Sequence, residues 1–531
     1  MNTTPDPTIA ASEGARTLRF RLLCRRFALA SLALVLLPTA VVAAQPAGTS
    51  VQRFDSIADT VAVPAQCRLG SAPETGLQGD VPSADRASGR STAGYRCNLT
   101  KIGSYDGNGG GILSAAFEHC VYIGSFFPGS LNGPTPGVRV LDVSDPARPV
   151  ETAALTEPAM LAGTWESLKV NTARKLLVGA GVPAVAGAGL LSIYDISDCA
   201  RPRLLNPGVG TDLTRPLATT AHEGGFSPDG MTYWSSGTAP GILTAIDLSE
   251  PATPRVIWQG MPGLSMHGVG ISADGNRVYL ADNTGGVTVL DSSAIQRRDP
   301  DPQLPILSQT HWIDGWATQH TIPVTYGGTP HVFAVDEAGS GGIKILDVSD
   351  DSRPHIVDSI KLEINRQVNY DTALASGLGG SVFSYDAHYC AADRPVDPTA
   401  LACGWLASGI RVFDIADPHR VREIAYYNPP ARTGRTPGAN SPQTLFSVAA
   451  VPILSAGALT QALAAGVFDT AEASSGEGGI LGDLSADLCF SPPAWRGRQL
   501  WVSCSDNTFQ TLELHPDVYS PPADQRTTIG S

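Results

Sequence analysis

One phrase, an apolar alternation that ends in Asp and is followed by a polar turn and a second apolar run, recurs along this chain and restricts its fold more than any other feature. The copies "GVRVLDVSDPARPV", "LLSIYDISDCARPR", "ILTAIDLSEPATPR", "GVTVLDSSAIQRRD", "GIKILDVSDDSRPH" and "GIRVFDIADPHRVR" put the shared aspartate at Asp142, Asp195, Asp247, Asp291, Asp347 and Asp414, at intervals of 53, 52, 44, 56 and 67 residues. Alternation of period two reads as a strand, and a strand–turn–strand unit at this spacing is the pattern of four-stranded propeller blades. The aspartate has a local task. At a strand end it accepts hydrogen bonds from backbone N–H groups of the turn, and the Pro then directs the chain back. Its recurrence is read as structural.

Upstream of each phrase lies a further strand pair around a tight turn, clearest in "HGVGISADGNRVYLADNTGG" and "EGGFSPDGMTYWSSGTAPG". With these as strands A and B and the Asp phrase as C and D, six blades are complete. The seventh is split between the chain ends: "ADLCFSPPAWRGRQLWVSCS" supplies A and B, "NTFQTLELHPD" supplies C, and "RCNLTKIGSYD", near residue 100, supplies D. Their pairing would close a ring and remove exposed sheet edges. The expected fold is all-β, a seven-bladed β-propeller over residues 96–516. Gly 56, Pro 41 and only 16% charged residues among 531 agree with a turn-rich β protein.

The phrase resembles the LVIVD repeat of a family of β-propeller proteins found largely among exported bacterial and archaeal proteins. That resemblance implies the fold and no single activity.

Residues 1–44, with "RFRLLCRR" before an apolar run and small residues ahead of Gln45, read as a secretion signal, with a retained anchor as the alternative. The chain is expected to be secreted, periplasmic or at the cell surface. Outside that segment the cysteines form an even set of eight, the default being disulfides. Cys489 with Cys504 and Cys390 with Cys403 flank hairpins; Cys67 with Cys97 and Cys120 with Cys199 are the remaining expectation. A net charge of -14 argues against nucleic acid as a partner. A monomer is expected, with a small molecule or a protein as the partner at the channel face. Residues 45–95 and 517–531 read as poorly ordered extensions, apart from whatever Cys67 ties down, and the connection 430–484 as an insertion between blades six and seven whose Ala-rich middle, 444–466, would offer a cover.

Aligned on the A strands, "HEGGFS", "HGVGIS", "HTIPVT" and "HYCAAD" put His222, His267, His320 and His388 at one position of four consecutive blades, and "ESLKVN" puts Glu166 there in the blade before. Since A strands line a propeller's channel, these side chains are expected at one mouth of it. Four of only ten histidines at one structural position suit a transition metal, Fe, Cu or Zn, for which imidazole is a good ligand, with Glu166 as ligand or orienter. The alternative is that each histidine bonds a neighbouring blade's backbone. Asp282, Asp336 and Glu337, at strand B ends, are expected beside His267 and His320, with Trp165 and Trp316 as walls. Three functions remain: a propeller binding a ligand or partner beside a metal, a metal-dependent oxidoreductase or oxygenase using the same histidines, and a purely structural interaction propeller. Motifs of hydrolases and nucleotide enzymes are absent.

Overall fold

The computed structural model describes residues 52–55, 60–126, 135–181, 190–207, 221–238, 240–339, 342–369, 371–373, 385–432, 438–442 and 486–521. The segment 1–44 and the middle of the 430–484 connection, with its expected cover, lie outside them.

Seven sheets follow one another along the chain, each built on an antiparallel A-B-C-D order, with Gln52–Asp55 added in parallel at the outer edge of blade four. In blade three, for example, Ala221–Phe226, Thr232–Gly237, Leu243–Asp247 and Arg255–Gly260 pair in sequence order. Blade seven takes Ala494–Arg496, Gln499–Cys504 and Thr508–Leu514 from the C-terminal part and Leu99–Tyr105 from the N-terminal part. That last ladder runs antiparallel from Leu99 opposite Leu514 to Tyr105 opposite Phe509. The seven-bladed propeller and its closure by the chain ends are thus as expected.

The core lies between blades. Leu176, Val178 and Ile193 of blade two pack on Tyr233 and Ile246 of blade three, and Val287 and Val289 of blade four on Val332 and Leu346 of blade five. The inner strands B and C therefore bury both faces, which explains runs such as "LLVGA" that are apolar throughout. The recurrent aspartates cap their turns: Ser144, Ser197, Ser249, Ser293, Ser349 and Ala416 each donate a backbone N–H to the carboxylate two residues before, at 2.8–3.1 Å. Arg203, Arg255 and Arg422 on D strands reach back to Asp195, Asp247 and Asp414.

Four disulfides join Cys67–Cys97, Cys120–Cys199, Cys390–Cys403 and Cys489–Cys504. They point to an oxidising, extracellular or periplasmic environment.

The expectation of a poorly ordered extension is corrected for residues 60–94. Ala62, Val81 and Tyr95 are buried in the core shared by blades five and six, and Tyr95–Cys97 adds a fifth strand to blade six beside Arg422–Asn428. The clasp is ionic as well. Arg411, fully buried, pairs with Glu74 from the segment and, at 3.0 Å, with Glu423, which also accepts from Gln78 at 2.9 Å. The few apolar anchors are scattered among Pro, Gly and Ser, so no local pattern marks them.

Removing one partner of a buried ion set leaves an uncompensated charge, so Arg411→Met is expected to cost about 3–5 kcal/mol, read as a lowered denaturant midpoint. A loss below about 1 kcal/mol would mean that the segment is not clasped in this way.

Candidate metal centre

Strand A of blades three, four and five shares one irregularity. The A–B register shifts between Ala221 and Glu223, between Met266 and Val269, and between Thr318 and His320. A bulge sets two residues against one and re-aims side chains that strict alternation would send to opposite faces. At those bulges sit His222, His267 and His320, with Glu223 directly after the first and Gln319 directly before the last. Glu166 enters from blade two, where an isolated parallel bridge pairs it with Glu223.

Glu166 is the hub. Its Oε2 lies 2.9 Å from His222 Nε2 and 3.4 Å from His267 Nε2, and its Oε1 lies 3.4 Å from His388 Nε2 and accepts from the Gln319 amide at 2.8 Å. Glu166, His222 and His267 each offer a ligand atom within 4.8 Å of the others. His320 stands one step away: its Nδ1 meets Glu223 Oε1 at 3.1 Å, an oxygen that also takes the Lys169 ammonium at 3.1 Å. His267 spans the two carboxylates, its Nδ1 being 3.9 Å from Glu223 Oε2. So the four histidines gather at one end of the A strands, three around Glu166 and the fourth on Glu223.

His388 has its tautomer set by the backbone. Its Nδ1 lies 2.9 Å from the Phe490 carbonyl, which can only accept, so Nδ1 carries a hydrogen and Nε2 faces Glu166 and, at 3.0 Å, Glu337. Phe126 stacks on Trp165 at 4.9 Å and Trp165 on His222 at 5.1 Å, which walls the site, while Tyr389 contacts the rings of His320 and His388.

Asp282, Asp336 and Trp316 are engaged elsewhere. Asp282 accepts from the Thr284 N–H and hydroxyl in the turn after strand B. Asp336 is held by Trp312, Thr318 and Lys344, an ion pair buried completely. Trp316 covers Gly339. Glu337, from the same strand, does join the site, because neighbouring strand residues face opposite ways.

Charge at the site is tightly balanced. Burial alone would raise the Glu166 carboxyl, but His222 and His267 override it and hold the group well below the usual range. Glu223 is kept at about 2 against its own burial, first by Lys169 and then by His320. Burial would lower His388, yet Glu337 foremost, with Glu166, pushes it up to about 9; His267 is raised as well by Glu166, and His320 is lowered by burial. Several buried atoms nevertheless lack an aligned hydrogen-bond partner: Glu166 Oε2, Glu223 Oε2, His267 Nδ1 and Gln319 Oε1. Room is also minimal, since a Cβ on Gly268 would overlap the Glu223 carboxylate.

Glu223, Gln319 and Lys169 escaped sequence reasoning. For Glu223 and Gln319 the one signal was adjacency to the aligned positions, which the alternation rule argues against; Lys169, three residues after Glu166, had none.

No family model matches the chain, and no curated protein does so significantly. The LVIVD likeness therefore rests on the repeated phrase alone. Among solved structures, the periplasmic gluconolactonase of Pseudomonas aeruginosa is 14% identical at a TM-score of 0.43, covering 59% of this chain and 84% of that one. Sqt1 of Chaetomium thermophilum is 15% identical at 0.40, covering 61% and 75%. A functionally unknown protein of Desulfotomaculum acetoxidans is 13% identical at 0.41, covering 60% and 84%. At such scores nothing carries over to the chemistry here.

A histidine whose folded value is raised stabilises the fold fully below its ordinary 6.5 and ceases to do so as pH climbs through about 9. Metal-free protein is thus expected to lose stability across that window, and His388→Gln to flatten the loss, as read from denaturant midpoints against pH.

Proposed function

We propose that this chain is an exported propeller whose channel face holds one divalent transition-metal ion, with Glu166, His222 and His267 as ligands, His388 as a fourth, and Glu223 orienting His267. The observation that carries this is the contact between Glu166 Oε2 and the two Nε2 atoms: 2.9 and 3.4 Å apart, yet not aligned as a hydrogen bond. Ligand atoms each about 2.1 Å from one ion stand about 3.0 Å apart at a right angle and about 3.4 Å apart at the tetrahedral angle. The spacing fits atoms aimed at a common point rather than at each other.

Charge supports the same reading. Glu166, Glu223 and Glu337 face Lys169, so two more positive charges neutralise the group, and one divalent cation supplies both without protonating any imidazole. His267 also turns its second nitrogen toward a carboxylate, Glu223 at 3.9 Å, the side on which the orienting group of a metal ligand stands.

With His388 outside the ligand set, Glu166, His222 and His267 match the two-histidine, one-carboxylate pattern of ferrous oxygenases with open positions, which favours an O2-dependent oxidoreductase as the second reading. Bound iron would supply O2 chemistry; the chain's own part is to gather the imidazoles around Glu166 and to wall the pocket with Trp165 and Phe126.

Elemental analysis of protein reconstituted with Fe(II), Cu(II) or Zn(II) is expected to find about one equivalent per chain, absent from the His222→Ala/His267→Ala double variant and retained by Asp282→Asn. Absence of metal in the parent protein would leave a purely structural propeller. O2 uptake by the iron form separates the second reading from the first.

Gly268→Ala, which drives Glu223 away from His267, is expected to weaken metal affinity about 10–100-fold, measured by competition with a chelator.

A further inference from the structure

The channel contains a cavity of about 430 Å³, lined by strand A residues of blades one, two and three and by Pro492 of blade seven. It lies toward the A–B turns, where its lining residues Thr172 and Pro228 are exposed. Leu168, Val170 and Phe226 give it apolar wall, and Lys169 is the one charged residue among those lining it.

Three of the other polar side chains on this wall are committed. Ser114 Oγ shares a hydrogen bond with Ser491 Oγ at 2.9 Å, Asn171 Oδ1 caps Arg174 N–H at 2.9 Å, and Ser227 Oγ is held by Asp229 at 2.5 Å. Lys169 differs. An ammonium has three donors; one reaches Glu223 Oε1 at 3.1 Å, and the Tyr389 ring lies 5.1 Å from Nζ. Glu223 is fully buried and also bound by His320. In the Lys169–Glu223 pair the carboxylate end is thus fully buried, while Lys169 is the partner that belongs to the cavity lining.

We infer that this cavity binds a small organic monocarboxylate, with the Lys169 ammonium as its counter-ion and the apolar wall holding its hydrocarbon part. The chemistry selects the class. An ammonium end repels cations. A phosphate dianion would want a guanidinium fork or several donors, and one shared lysine supplies neither. The volume is at the small end of ligand pockets, which suits a compact body. Neither Glu166 nor any of the four histidines lines the cavity, and it does not require a bound metal.

Phenylacetate and its neutral isostere phenylacetamide are the probes, titrated calorimetrically into chelator-treated protein. Phenylacetate is expected to bind one per chain and about 10-fold or more tighter than the amide, with Lys169→Met losing that margin. Glu223→Gln, which leaves the ammonium unshared, is expected to tighten phenylacetate binding several-fold. Because Lys169→Met strands a buried carboxylate, the double variant Lys169→Met/Glu223→Gln, with neither charge left, serves as the folded control and is expected not to bind. Equal affinity for the two probes, no binding of either, or phenylacetate binding retained by the double variant would overturn the inference. As every titration is metal-free, these outcomes are separate from those of the elemental analysis.

Discussion

Ring closure is the constraint on which this molecule rests. The ladder between Leu99–Tyr105 and Thr508–Leu514 joins segments from the two ends of the propeller, and its loss would expose a sheet edge on blade seven and loosen the packing of that blade on the first. The strand just before the closing one, Tyr95–Cys97, is laid on blade six, so one short stretch ties two consecutive blades. Since the core is formed blade against blade, the ring holds its A strands in mutual contact, and convergence of the histidines follows from that.

Convergence alone would not produce the metal centre. Three bulges in successive A strands let adjacent residues share a side, which is how blade three contributes both His222 and Glu223 and blade five both Gln319 and His320. The result is an alternation of acid and imidazole, His222–Glu166–His267–Glu223–His320, with His388 as a third base on Glu166 and Lys169 on Glu223. In so dry a place an unbalanced charge is costly, so the protonation of any one member depends on the others and on any cation present. Lys169 links this alternation to the cavity, because the ammonium that neutralises Glu223 also forms the cavity's polar point.

Much of the fold was legible. Six aspartates at regular spacing gave the blade count, two orphan strands gave the closure, and hairpin-flanking cysteines indicated pairs that the structure bonds. The aspartates also proved to be turn caps in all six copies. Legibility ended where burial was achieved by scattered residues: Ala62, Val81 and Tyr95 carry the N-terminal segment into the core without any period that would announce it. At the site, alignment found the histidines and Glu166, but it assigned Asp282 and Asp336 to a place they do not take. Position in a strand predicts which end of a sheet a residue occupies, not which neighbour it binds.

By itself the amino-acid order determined what is local and repeated: strands by alternation, turns by Asp and Gly, blades by recurrence, and the common position of four imidazoles. Only the folded ring decided which groups meet. Glu166 and Glu223 are 57 positions apart along the chain and bridge directly, and His388 reaches Glu166 from four blades away. Alternation is a rule about one strand, whereas bulges, blade contacts and the sharing of a carboxylate between imidazoles are properties of strands packed together, and it is there that the chemistry arises.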